Sequence, residues 1–479
     1  MMVTNNSMDN STKKLLNGTL VYFIGNVLTQ LISLALLRFV TGKISPEEYG
    51  IYNLVVTVTN LVIPFVSFQI PDALFKFAIK SKTVDESKAY FTTTFVVMVA
   101  SVLLTFGGIA IVNHFVPLPH VLLIALHMVS SNLFTMYQKI TRCLGKNTIY
   151  VVGNLVKTLA FLTLQIVFLY VFRMGVEALF LATIISTGLF LVFAEVKIRS
   201  FRLFDSKTLS SPVLKKMLLF SIPLIPNAVF WWLTSSINTV IVSARCGLDV
   251  NGLYSVANKF SVILTTVTSV FNLSWQESAI TEYGEATFKS FFSQTTAMFM
   301  KGIFSTIAVL LPTMSIVFPA IIDETYYSAI SYAPFLVMAS GISAIGAFVA
   351  PIFLAQEKNS RCLISNVIGM LLNLAIVFAL VDHIGIWAAI SGTMLSNLAI
   401  AVSRLWMVRR DFEAGGWVWQ IVLLIAFALI GVPIYLCLPM VWNVGYLAIS
   451  VVVFAVFNRA LIKNIFALVV EKIKPGKEG

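Results

Sequence analysis

The sequence predicts an all-α polytopic membrane protein of about fourteen transmembrane helices, arranged as two parallel six-helix lobes followed by two C-terminal helices. Three observations carry that prediction: composition, the length of the apolar runs, and the placement of basic residues. Of the 479 residues, 58% are apolar and 11% are charged, against roughly 45–50% and 25% in a soluble domain. The apolar excess falls in runs of about twenty residues, the length a helix rising 1.5 Å per residue needs to cross a 30 Å hydrocarbon core. Residues 95–112, FVVMVASVLLTFGGIAIV, are apolar on every side. That pattern excludes the alternating strands of an outer-membrane barrel.

The expected spans are 15–40, 49–70, 91–112, 116–137, 149–172, 176–195, 217–242, 251–275, 291–317, 329–354, 363–381, 384–407, 418–438 and 441–461. Breaks fall at helix-stopping sequences: Ser45-Pro46-Glu47-Glu48, Pro117-Leu118-Pro119, Arg173-Met174-Gly175, Cys246-Gly247-Leu248-Asp249 and Asp382-His383. Pro64 and Pro71 in the second span, with Pro223 and Pro226 in the seventh, interrupt the backbone ladder and permit bending.

Retained positive charge marks the cytoplasmic side of short loops. With the N-terminus inside, the cytoplasmic segments and inner helix ends collect Lys13, Lys14, Lys76, Lys80, Lys82, Lys88, Lys139, Arg142, Lys146 and Lys157. The linker cations Lys197, Arg199, Arg202, Lys207, Lys215 and Lys216 and the later ones from Lys289 to Lys477 follow the same alternation. Only Arg38, Lys43, Arg173 and Arg245 fall outside, and Lys259 falls within a span. Both termini are therefore expected to be cytoplasmic. The net charge of +12 reflects this topology and attraction to anionic inner-leaflet lipid, and is no argument for nucleic acid. The first apolar run lacks a small-residue cleavage site and is expected to remain as a helix. Cys143, Cys246, Cys362 and Cys437 have no pairing or zinc spacing.

The chain also repeats itself. TGKISPEEYGIYN at 41–53 aligns with SARCGLDVNGLYS at 243–255, pairing Gly50 with Gly252 and Tyr52 with Tyr254 at an offset of 202. Lys146, Asn147 and Asn154 align with Lys358, Asn359 and Asn366; Gly175, Ala178, Thr183 and Ser186 align with Gly385, Ala388, Thr393 and Ser396. The expected organisation is thus an N-terminal lobe, 1–195, a basic cytoplasmic linker, 196–216, a C-terminal lobe, 217–410, and spans 13 and 14 with a tail, 411–479. Copies with an even number of spans enter the membrane in the same direction, an arrangement that transporters use for alternating access.

Soluble catalytic machinery has no place here. No loop exceeds about 25 residues, and no GxxxxGK[ST], HExxH or GxSxG occurs. The histidines His114, His120, His127 and His383 show no ligand spacing. An enzyme is accordingly not expected, and neither is a metal.

Charges inside a span are costly and mark function by default. Lys259 lies eight residues after Asn251, about 12 Å down a helix. It reads as a lumen-facing cation meeting an anionic substrate, with an internal ion pair as the alternative. Arg38, near the outer end of span 1, is either a lumen cation or a snorkelling one. Lys43 and Arg245 are equivalent outer cations, open to a hinge role or to ligand contact. Glu277, directly after span 8, is the ion-coupling candidate among Asp72, Glu195, Glu277 and Glu282. The amides Asn26, Gln30, Asn60, Gln69, Asn154, Gln165, Asn227, Asn238, Asn366, Asn373 and Asn397 are expected to bond between helices or line a sugar path.

At 36–77, LLRFVTGKISPEEYGIYNLVVTVTNLVIPFVSFQIPDALFKF, the chain resembles the Wzx-type polysaccharide (O-antigen) repeat-unit flippases. Their superfamily also holds multidrug and toxin extruders and lipid II flippases. The resemblance rests on Arg38 near the end of span 1, the Glu48-Tyr49-Gly50 turn, and Lys76 after span 2. In the second half, NGLYSVANKFSVIL at 251–264 resembles the corresponding family element and includes Lys259. The resemblance implies translocation of undecaprenyl-pyrophosphate-linked oligosaccharide from the inner to the outer leaflet of the bacterial cytoplasmic membrane, for O-antigen, capsule or exopolysaccharide assembly. It implies no cofactor, coupling to a proton or sodium gradient, and a polysaccharide polymerase and chain-length proteins as partners beside membrane lipid and the lipid-linked glycan. Lys259 and Arg38, then Lys76 and Arg245, carry over as cationic lumen residues. A lipid II flippase needs similar cations. A drug extruder calls for an acidic cavity, and no carboxylate lies in the middle of the first six spans.

Overall fold

The computed structural model describes residues 32–459, apart from 35, 80, 82, 357, 412–414 and 416, together with 463. The described residues form sixteen α-helices: α1 (Leu37–Thr41), α2 (Pro46–Val66), α3 (Ile70–Ile79), α4 (Val84–Phe115), α5 (Val121–Cys143), α6 (Asn147–Ile166), α7 (Glu177–Ile198), α8 (Ser211–Ser221), α9 (Leu224–Arg245), α10 (Leu248–Glu282), α11 (Phe288–Ile321), α12 (Ala333–Ala355), α13 (Asn359–Ile384), α14 (Ile386–Met407), α15 (Trp417–Cys437) and α16 (Met440–Phe457). Among the described residues, twelve segments are long and apolar enough to cross a membrane. The other two expected spans are α10, discussed below, and span 1, whose residues 15–31, with Asn26 and Gln30, lie outside the described residues.

The prolines and turn residues act where the sequence places them. Span 2 bends after Pro64: α2 ends at Val66, Phe68 and Gln69 take positive φ of 50° and 52°, and α3 begins at Ile70. Span 7 is broken at Pro223, which separates α8 from α9. Span 5 continues from α6 through a π-turn at Val167–Val171. The linker does not hang free. Its 3₁₀ turns at Ser200–Leu203 and Ser206–Thr208 dock on α4, where Thr92 Oγ1 accepts from the Asp205 amide at 2.9 Å, and α8 begins within it at Ser211.

The chain divides into two compact units. One is Phe39–Gly252; the other is Leu253 onward together with the described residues through Arg38. In the first, Ile70, Leu74, Tyr90, Phe91, Phe95, Tyr137, Ile140 and Phe190 form a core. In the second, Trp275 stacks on Phe348 with ring centroids 4.6 Å apart, and its Nε1 donates to the Phe348 carbonyl at 2.7 Å.

The Glu48-Tyr49-Gly50 turn has a local cause. Ser45 caps α2 and Glu48 closes a capping box, its Oε2 accepting from the Ser45 amide at 2.9 Å. Its Oε1 accepts from the Val176 amide at 3.3 Å, tying α2 to the start of α7. Glu48→Ala should therefore lower thermal stability by about 1–2 kcal/mol, while Ala at the exposed neighbour Glu47 should be near neutral. Equal melting temperatures for the two variants would refute that role.

Candidate functional site

Helix α10 carries Lys259, the first of the cationic candidates. It spans 35 residues but is interrupted along its length by polar side chains, which keep it out of the set of strongly apolar spans. Those side chains fall on one face. Asn258, Thr265, Ser269 and Gln276 recur at helical spacing with Lys259 and Thr266 beside them, and all but the half-buried Thr266 are exposed. Ala257, Phe260 and Leu264 are buried on the other face, with Phe260 stacked on Phe318 at 5.5 Å. Thr265 and Thr266 donate to the Val262 carbonyl at 2.9 and 2.8 Å. Lys259 is left exposed, eleven residues from the helix start, about 16 Å down the axis. It meets no hydrogen-bond or ion-pair partner among the described residues. A bare ammonium at that depth requires water or an anion.

The other sequence-derived candidates divide between the units. Arg38 reaches the end of α11, where its Nη1 donates to the Pro319 carbonyl at 2.7 Å; a cation at a helix C-terminus satisfies orphan carbonyls and complements the dipole. Lys76, in the last turn of α3, lies over the Phe220 ring at 3.8 Å. Arg245 is exposed at the end of α9. Glu277 is on α10, but its side chain lies outside the described residues. Asp72 is engaged by Lys139 at 2.6 Å, and Glu195 by Ser200, Phe201 and Tyr137.

One cation escaped the sequence reading. Charge counting groups Lys157 with the cytoplasmic segments and inner helix ends although the expected span 149–172 contains it; α6 begins at Asn147 and carries it about 15 Å into the span. Its Nζ lies over the Phe134 ring at 3.6 Å, with no hydrogen-bond or ion-pair partner among the described residues. Counting residues from the helix-starting Lys146-Asn147 would have exposed it. One turn earlier, Asn154 accepts from Gln138 Nε2 at 3.0 Å, an interhelical bond of the expected kind. Among the described residues no group of three or more His, Cys, Asp or Glu is placed to hold a metal.

The repeat is visible in the bonding. Tyr52 bonds Thr183 at 3.0 Å, and Tyr254 bonds Thr393, its aligned counterpart. Ser186 and Ser396 donate to the carbonyls of Thr183 and Thr393.

Residues 15–278 match the model of a family described as polysaccharide biosynthesis protein. The chain belongs to that family. A search of the curated proteins finds no match. Among solved structures, this polysaccharide biosynthesis family member is similar to the lipid II flippase MurJ in an inward closed conformation, with TM-score 0.65 and 12% identity over 93% of this chain and 100% of that one. It is also similar to an inward-facing multidrug resistance MATE family transporter of the MOP superfamily, with TM-score 0.63 and 14% identity over 80% and 94%. An outward-facing MATE structure gives 0.53 and 13% over 82% and 94%. Identities this low show the fold: the all-α architecture is that of the MATE and MurJ proteins.

Proposed function

We propose that the protein is a flippase carrying a polyprenyl-pyrophosphate-linked oligosaccharide repeat unit, in the undecaprenyl form, from the inner to the outer leaflet of a bacterial cytoplasmic membrane. It works by alternating access between two six-helix lobes, with both termini cytoplasmic, and a proton or sodium gradient supplies the drive. Its product feeds a polymerase and chain-length proteins in O-antigen, capsule or exopolysaccharide assembly. The observation that carries the reading is the exposed polar face of α10 with an uncompensated Lys259. A pyrophosphate and its glycan cannot enter hydrocarbon unaided, whereas a wet face with a bare cation lowers that barrier while the lipid tail stays in the bilayer. The family's polysaccharide biosynthesis description supports the glycan.

Deleting the gene in its host should abolish long surface polysaccharide and accumulate lipid-linked repeat units inside. Wild type and Lys259→Arg should restore export, and Lys259→Ala at equal protein level should restore about tenfold less, the loss of one charge-assisted contact. Normal surface glycan with new drug sensitivity would point to an extruder instead. Full rescue by Lys259→Ala would leave that lysine a packing role.

A further inference from the structure

Three helices of the first compact unit meet at an aromatic cluster that carries two ammonium groups. Phe77 of α3 stacks on Tyr90 of α4 at 5.6 Å and meets the Phe220 ring of α8 at 5.5 Å in a T-shaped contact. Lys76 Nζ lies 3.8 Å from the Phe220 centroid and 5.3 Å from that of Phe77. Lys216 Nζ lies 4.8 Å from the same Phe77 centroid and donates to the Tyr90 hydroxyl at 2.8 Å, which donates in turn to Glu86 Oε1 at 3.1 Å. Cations from α3 and α8 are thus held against one ring, and both side chains are exposed. A ring face attracts an ammonium without neutralising it. Lys76 makes no hydrogen bond or ion pair among the described residues, and Asp72, the acid on its own helix, is engaged by Lys139. Helix α8 extends the pattern. Its Met217 is fully buried in the core around Ile70 and Leu74, while Lys215, Leu219 and Ile222, at i, i+4 and i+7, form an exposed face with Leu219 67% and Ile222 47% open. In the linker before it, Glu195 and Asp205 are turned onto the chain itself, accepting from the Phe201 and Lys207 amides.

We propose that Lys76, Lys216 and the exposed face of α8 form a binding site for an anionic phospholipid of the cytoplasmic leaflet. Its phosphodiester sits at the two ammonium groups, and an acyl chain runs along Leu219 and Ile222. A short helix with cations at one end and an open apolar face at the other fits the boundary between headgroups and hydrocarbon, where basic side chains gain from anionic lipid. A soluble phosphate has no use for the apolar face. Two ammonium groups with Glu86 bonded into the cluster leave one net positive charge, which matches the single charge of a phosphodiester better than the several of a pyrophosphate. The lipid bridges α3, which follows the bend at Phe68 and Gln69, and α8, which precedes the break at Pro223. Its occupant is a resident of the bilayer and not the cargo, so the site lies beyond the proposed function.

The probe is phosphatidylglycerol with a photoreactive diazirine on one acyl chain, doped into phosphatidylcholine vesicles that hold the full chain. Illumination should label the peptide containing Leu219 and Ile222, and the same diazirine on phosphatidylcholine should label it several-fold less. Lys76→Gln and Lys216→Gln should each lower the phosphatidylglycerol label about fivefold, the effect of one basic residue at an anionic surface. Arg at both positions should keep it, which separates charge from folding. Unlabelled phosphatidylglycerol should compete, whereas glycerol 1-phosphate and undecaprenyl pyrophosphate at the same concentration should not. Equal labelling by the two lipids, or Gln variants labelled like wild type, would overturn the site. Displacement by glycerol 1-phosphate would make the headgroup alone the ligand, and displacement by undecaprenyl pyrophosphate would make this a cargo seat; either overturns the phospholipid assignment. The test needs no glycan, so its failure would leave the host deletion result standing.

Discussion

Gly252→Ala is expected to prevent the protein from being recovered as a folded, monodisperse species in detergent. At the start of α10 a methyl group on Gly252 would overlap the backbone carbonyl of Pro46, and one on Gly50 would overlap the carbonyl of Leu248. The two collisions mirror each other, because Pro46 and Leu248 are themselves a repeat pair: the first turns of α2 and α10 approach backbone to backbone with no side chain between them. Small residues permit that approach in membrane helices. Asn251 seals it, donating to the Gly50 carbonyl at 3.1 Å and accepting from Asn53 at 3.3 Å. Backbone cannot swing aside as a side chain tip does, so relief requires both helix starts to separate. Overpacking costs about 1–3 kcal/mol where side chains adjust, and here the cost should exceed that range. Gly50→Ala should behave alike. Gly107→Ala and Gly188→Ala are the controls, since nothing lies within 4 Å of a methyl group at either position; helix propensity makes them neutral or stabilising by up to about 1 kcal/mol. A size-exclusion thermal challenge of all four decides it, and a Gly252→Ala protein as stable as Gly188→Ala would overturn the contact.

The sequence alignment of the two halves found these glycines without knowing their job. Periodicity and charge sides are properties of local sequence, so the apolar spans, their breaks at Pro64 and Pro223, and the Tyr52/Tyr254 correspondence were legible. Depth and partnership are tertiary, and there the reading thinned. Arg38 looks like a free cation in sequence and turns out to cap α11, 281 residues away. Lys157, inside the expected span 149–172 but grouped by charge with the inner helix ends, lies about 15 Å along α6. His127 has no motif around it; only the tertiary packing of Tyr52 and Phe180 against its ring shows that it is buried. Asn154 and Asn366 show both sides of the limit. The alignment pairs them, and both tie neighbouring helices, but Asn154 does so with Gln138 and Asn366 with Arg404. A conserved task with exchanged partners cannot be read from one copy.

Arg404→Ala is expected to lower stability by about 3–5 kcal/mol, the second large effect. The residue sits in the last turn of α14, where charge counting places a cytoplasmic cation; only 5% of it is exposed. Its guanidinium spans three helices. Nε donates to Ser365 Oγ at 2.8 Å, Nη1 to the Gly346 carbonyl at 2.6 Å, and Nη2 to Asn366 Oδ1 at 2.8 Å and Cys362 Sγ at 3.2 Å. Every one of these acceptors is uncharged, so the desolvation of the cation is offset by hydrogen bonds alone. Truncation would leave the acceptors on α12 and α13 bare. It would also leave a void where the buried guanidinium stands. Arg404→Met separates the two causes: it fills the volume and removes the buried charge, but satisfies none of the acceptors. Replacing a buried ionic group by an apolar one of similar size often costs little. A Met variant near wild type beside a failing Ala variant would assign the effect to packing; equal losses would assign it to the stranded carbonyl and amide. An Arg404→Ala protein that melts with the wild type would show that α12, α13 and α14 hold together without this guanidinium.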